Sequence, residues 1–210
     1  MKPVSCLTKK GRGSYGGSQM WWEDKVLVNS GCGIIAGLEI LLNLQGVEEI
    51  DRDRYLEMMD DLSKTIKPLR IPFKEESVQI FGKKFMGSLG VMFPTLVHGL
   101  KRITKEQGYD CRIKTYRFNF EERTRELIAR DIPVILLIRA PLDNVIMYDE
   151  EGKPTSMKLG QHYVIVTEYD EERGLFAVSS WGEKYKIDPT DLRKFSVGAR
   201  FCYAERIKAQ

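Results

Sequence analysis

Cys32 stands between Gly31 and Gly33 in the run NSGCGIIAGLEILLNLQG, Asn29 to Gly46, where a long apolar helix begins. A helix N-terminus carries unpaired N–H groups and partial positive charge. Both favour a thiolate over a thiol, and the same N–H groups can hold an oxyanion. Flanking glycines let another backbone come close. Cysteine is also at home as a small buried residue, so Cys32 alone leaves both uses open.

A thiol nucleophile needs a base. The chain holds two histidines, His98 and His162. His98 falls within a helical stretch beside Gly99 and reads as a helix-flank residue. His162 opens the strand-like run HYVIVTEY after Gly160, at the mouth of a buried strand, from which a side chain can face a cleft. Further on comes Val178-Ser179-Ser180-Trp181-Gly182.

Taken in order, a cysteine at the start of a long helix, a histidine opening a later strand and a Ser-Trp-Gly beyond it resemble the papain-like cysteine peptidases. That family carries Asn-Ser-Trp-Gly at the last place, where Asn orients the histidine and Trp shields the bond. The nearer resemblance is to the bacteriocin-leader (double-glycine) peptidase-like branch. Gly31-Cys32-Gly33-Ile34-Ile35-Ala36 is similar to its Asp-Cys-Gly-x-Ala-Ala. Glu126 to Ile138 is similar to its helix followed by a Pro-Val-Ile strand, and His162 to Asp170 to its His-x-Val-x-Val-x-x-Tyr-Asp segment. The resemblance spans about Asn29 to Asp191. It implies a catalytic set of Cys32, His162 and Ser179, with Trp181 as shield and Gly31 and Gly33 at the cleft.

Two positions depart from the family pattern. Where the family carries an oxyanion-donating Gln before the cysteine, this chain has Val26; Asn29 or Gln19 is the substitute. Ser179 replaces the family's Asn, and its hydroxyl is shorter and freer to rotate. Ser180 and Asp170 are the fallback partners for the imidazole.

These residues need elements to position them. The first 28 residues, with four glycines and Met20-Trp21-Trp22, read as an irregular segment pinned by its aromatics, which form either core or a cleft wall. Ile34, Ile35, Leu38, Leu41 and Leu42 have helical spacing, stopped by Gly46. A second helix is expected over Asp51 to Lys64. Residues 65–92 read as mostly loop with one strand near Val78 to Phe81. Pro94 suits the first turn of a third helix ending before Gly108. A strand covers Cys111 to Arg117, and Asn119 with Glu122 forms a capping box for a fourth helix.

Strands are expected at Pro133 to Ile138, His162 to Tyr169, Leu175 to Ser180, Lys184 to Ile187 and about Ala199 to Ile207, with a short helix after Asp188-Pro189. The polar stretch Ala140 to Gln161 reads as a long loop, either a substrate lid or a surface excursion. Helices early and strands late predict an α+β fold, papain-like by resemblance, with a helical part and an antiparallel sheet. Residues 1–210 are expected to form a single domain.

The composition narrows the function. At 42% hydrophobic and 30% charged the chain can bury a core, and its net charge of +3 gives no case for nucleic acid. The basic run Lys9-Lys10-Gly11-Arg12 is short and reads as a solvated loop. No apolar run is long enough to cross a membrane. The N-terminus lacks an apolar signal core, so the expected location is cytoplasmic. Four scattered cysteines, Cys6, Cys32, Cys111 and Cys202, have no metal-ligand spacing and are expected as free thiols. The expected function is a thiol hydrolase of a peptide or other amide, with no metal or organic cofactor. The alternatives are an acyltransferase using the same pair and a catalytically inactive binding module.

Overall fold

The computed structural model describes residues 3–7, 13–70, 77–80, 83–86, 88–139, 145–159, 161–194 and 199–207. The basic run Lys9 to Arg12, Phe81, Gly160 and the start of the expected loop, 140–144, lie outside them.

The fold is α+β. Six helices are described: α1 (Lys25–Ser30), α2 (Cys32–Gln45), α3 (Arg52–Ser63), α4 (Phe93–Glu106), α5 (Phe120–Ile128) and α6 (Pro189–Lys194). The strands are β1 (Ser5–Leu7), β2 (Glu49–Asp51), β3 (Ser77–Ile80), β4 (Lys83–Met86), β5 (Cys111–Tyr116), β6 (Val134–Arg139), β7 (Val145–Tyr148), β8 (Pro154–Leu159), β9 (Gln161–Asp170), β10 (Leu175–Ser180), β11 (Glu183–Ile187) and β12 (Arg200–Arg206). Eight of them form one sheet in the order β5-β12-β6-β9-β10-β11-β7-β8, with every neighbouring pair antiparallel. β1 and β2 pair in parallel, and β3 and β4 form a separate hairpin.

The centre of the sheet is apolar on both faces. On β6 and β9, Ile135, Leu137, Tyr163 and Ile165 pack with α2, α3 and α4. Their neighbours Val134, Leu136, Val164 and Val166 pack on the other face with Phe120 and Leu127 of α5 and Leu192 of α6. Alternation along a strand sends successive side chains to opposite faces. With both faces covered, the strands read as continuous apolar runs. Helix α2 lies against β9, which sets its first residue, Cys32, beside the start of that strand.

Several expectations are corrected. Ser5–Leu7 pairs with Glu49–Asp51, Gln19–Trp21 is a 3-10 turn, and α1 forms where an irregular segment was expected. Asp24 caps α1 by accepting from the N–H groups of Val26 and Leu27. The single strand expected near Val78 is a hairpin. The expected loop before His162 contains β7 and β8, with Pro154 opening the edge strand, where a missing N–H is tolerated. The expected capping box at Asn119 is absent: its backbone is left-handed (φ 51°) and its side chain makes no cap bond. His98 is an exposed residue of α4.

Candidate functional site

Helices α1 and α2 meet at Gly31, whose N–H donates to Leu27 O while its own carbonyl accepts from Ile34 and Ile35. The break makes Cys32 the first residue of α2. A Cβ at Gly31 would enter the Trp22 ring, and one at Gly33 would lie 2.8 Å from Val91 Cβ and 3.1 Å from the Tyr163 ring. Neither glycine lines the cavity beside Cys32. Their small size admits neighbouring side chains of this chain, which corrects the expectation that they form the cleft.

Cys32 keeps some exposure, yet protein crowds its sulfur. Burial pushes its pKa up to about 11, although the N–H groups of Tyr163, Gly33 and Cys32 itself pull it down. The helix terminus acts in the expected direction but is outweighed by desolvation. The resting group is a thiol. The other three cysteines are free as well, and burial also raises the pKa of each.

His162 is buried near the start of β9, with Nε2 2.8 Å from Ser180 Oγ. Trp181 stacks on its ring, centroids 4.5 Å apart and planes 20° from parallel. The stack depends on a two-residue turn. Ser180 and Glu183 pair across β10 and β11, and both Trp181 (φ 53°) and Gly182 (φ 81°) have positive φ. That is the type I′ hairpin turn, which favours Asn-Gly and resists a tryptophan at its first central position. Burial in this pocket lowers the His162 pKa to about 4, so its resting form is neutral.

Cys32, His162, Gln19, Ser179, Ser180, Trp181 and Glu39 line one cavity. Its volume is about 10 Å³, no more than a single water needs. Gln19 is buried there and donates one amide hydrogen to Val28 O at 2.8 Å. The other proposed donor, Asn29, is exposed, and its amide turns back to Lys25 O at 2.6 Å. Val26 lies on α1.

The expected role of Ser179 is corrected. Its hydroxyl donates to Tyr15 O at 2.7 Å, and the imidazole faces Ser180 instead. The pairing of β10 with β9 slips between Ala177 and Val178. A one-residue slip exchanges the two faces of a strand, so two adjacent serines cannot be assigned from sequence alone. Asp170 sits at the far end of β9, bound to Lys186 Nζ at 2.7 Å and to Arg173, and the Lys186 bond holds its carboxyl well below the usual range. Trp22 is core, with its indole N–H on Asp60 at 2.6 Å, and Trp21 meets Tyr55 edge-on. Neither lines the cavity. Among the described residues no cluster of His, Cys, Asp and Glu could hold a metal ion. No described helix is long and apolar enough to cross a membrane.

No family model matches the sequence, and no curated protein matches it. Among solved structures, the chain is similar to one from Bacillus anthracis described as a candidate C39-like peptidase. Identity is 16%, the match covers 91% of this chain and 95% of that one, and the TM-score is 0.49. The chemistry open to this site rests on its own residues.

Proposed function

We propose that the protein is a thiol hydrolase of peptide or other amide bonds, with Cys32 as nucleophile and His162 as general base. The observation carrying this reading is that His162, held by Ser180 and Trp181, lines the same cavity as Cys32. With a proton on Nε2, Ser180 Oγ accepts it and Nδ1 is left as the basic nitrogen. That nitrogen takes the Cys32 proton as sulfur attacks the amide carbon, then returns it to the leaving amine. The N–H group of Cys32, with the second amide hydrogen of Gln19, supplies donors for the oxyanion. Water releases the acyl-thioester, and an amine in its place would make the same residues an acyltransferase. This order of roles is that of the papain-like resemblance, with Ser180 in place of Ser179.

The small cavity and the neutral thiol and imidazole favour a second reading, a binding module that keeps the groove without turnover. Incubation with a panel of amide and ester probes, read by intact mass, separates the two. A hydrolase shows an acyl adduct on Cys32 that is absent in Cys32→Ala and diminished in His162→Ala. Turnover that survives Cys32→Ala, or no adduct with any probe, rejects the proposal.

A further inference from the structure

We propose that Tyr15 is a positioning residue for His162, bracing from behind the hairpin whose residues Ser180 and Trp181 touch the imidazole. The proposal deepens the reading of Cys32 and His162 as a reacting pair and takes its functional consequence from it.

The main chain of Tyr15 bonds the hairpin on both sides of those two residues. Its N–H donates to Gly182 O at 2.8 Å, and its carbonyl accepts from Ser179 Oγ at 2.7 Å. Ser180 and Trp181 are the residues between these contacts. Its phenol is tied to β9, the strand that carries His162, through Thr167 Oγ1 at 2.7 Å. One residue therefore links the turn that supports the imidazole to the strand that bears it.

That support needs a brace. A serine hydroxyl rotates freely, and Trp181 holds a left-handed backbone (φ 53°) that is unfavourable for a non-glycine residue. Gly16, next along the strap, has positive φ and no room for a Cβ against Ser179 Oγ. The strap then reaches α2. Gly17 N–H donates to Glu39 Oε1 at 3.0 Å and Val4 N–H to Glu39 Oε2 at 3.1 Å. Glu39 shares with Cys32 the face of α2 that lines the cavity. Val4 and residues Tyr15 to Gly17 thus connect the helix of the thiol to the turn behind the base.

The test reads His162 directly. His162 and His98 are the only histidines, and His98 is exposed on α4, so two imidazole resonances suffice. The titratable groups lining the cavity with His162 are Cys32, Glu39 and Tyr163; at the other end of β9, Lys184 pairs with Glu168 at 2.7 Å beside the Tyr15 ring. Ser179→Ala removes the bond to the Tyr15 carbonyl, and Tyr15→Phe removes the bond to Thr167. A loosened turn admits water and weakens the burial that depresses His162. We expect the His162 midpoint in Ser179→Ala to rise by about one pH unit, a tenfold gain in proton affinity. A smaller rise in the same direction is expected in Tyr15→Phe, with unchanged far-ultraviolet circular dichroism. A midpoint equal to wild type in both variants overturns the proposal, as does an unmoved midpoint in Tyr15→Phe where Ser179→Ala fails to fold. If amide probes show that Cys32 takes no part in turnover, the hydrolase reading falls, and the histidine titration still decides the role of Tyr15.

Discussion

His162 Nε2 lies 2.8 Å from Ser180 Oγ, while the hydroxyl of the adjacent Ser179 is engaged by Tyr15. Two neighbouring serines thus do different work, one against the imidazole and one behind it. Ser180→Ala should lower kcat about tenfold, the worth of one hydrogen bond that fixes an orientation. Steady-state kinetics on an amide probe found by the mass screen would check this, and an unchanged kcat would remove Ser180 from the site.

Acid should unfold the protein partly through His162. Its pKa of about 4 lies below the ordinary 6.5. A depressed value means that the folded state favours the neutral ring. This contribution is complete above about pH 6.5 and is lost as pH falls through about 4. It amounts to about 3 kcal/mol. Urea midpoints measured across that window should decline in wild type and decline less in His162→Gln.

Alkylation of Cys32 should be slow at neutral pH and climb on the alkaline side, because burial lifts its pKa to about 11. Reaction follows the thiolate fraction. Iodoacetamide labelling followed by peptide mapping gives the profile for this cysteine alone. A plateau reached below pH 7 would show a thiolate already present at rest.

Gly33→Ala should destabilise the fold by about 1–3 kcal/mol, since its methyl meets Val91 and the Tyr163 ring. Gly46→Ala meets nothing within 4 Å, but its left-handed backbone (φ 71°) makes it costly for a different reason, about 1 kcal/mol. Thermal melts of the two variants would rank them.

Glu39→Gln should cost about 1–3 kcal/mol. The carboxylate is buried and accepts from Val4 N–H, Gly17 N–H and the Tyr55 hydroxyl at 2.8 Å. An amide presents one acceptor oxygen and one NH₂, so at least one of these donors would face another donor. Urea denaturation measures the loss.

Parts of this architecture can be read from residue types and others cannot. Helix α2 follows from the spacing of Ile34, Leu38, Leu41 and Leu42, and its end from Gly46, which adopts the left-handed cap. The central strands follow from unbroken apolar runs such as Val134 to Ile138. β7 and β8 escape because they lie at one side of the sheet, amid turn-forming and charged residues. The choice between Ser179 and Ser180 depends on a bulge that leaves no mark in composition. The size limit on Gly31 and Gly33 comes from Trp22, Val91 and Tyr163, residues brought there by tertiary packing. The same packing raises the Cys32 pKa, so a helix terminus that reads as activating leaves a protonated sulfur.

The bond from Ser179 to the Tyr15 carbonyl closes a loop of 164 residues. During synthesis, the strap emerges from the ribosome long before the hairpin it braces. Helices α2 to α4 can pack early from nearby contacts, but the cavity waits until Gly182 has left the exit tunnel. A nascent chain therefore carries Cys32 without His162 for most of translation, and the two come together only near the end.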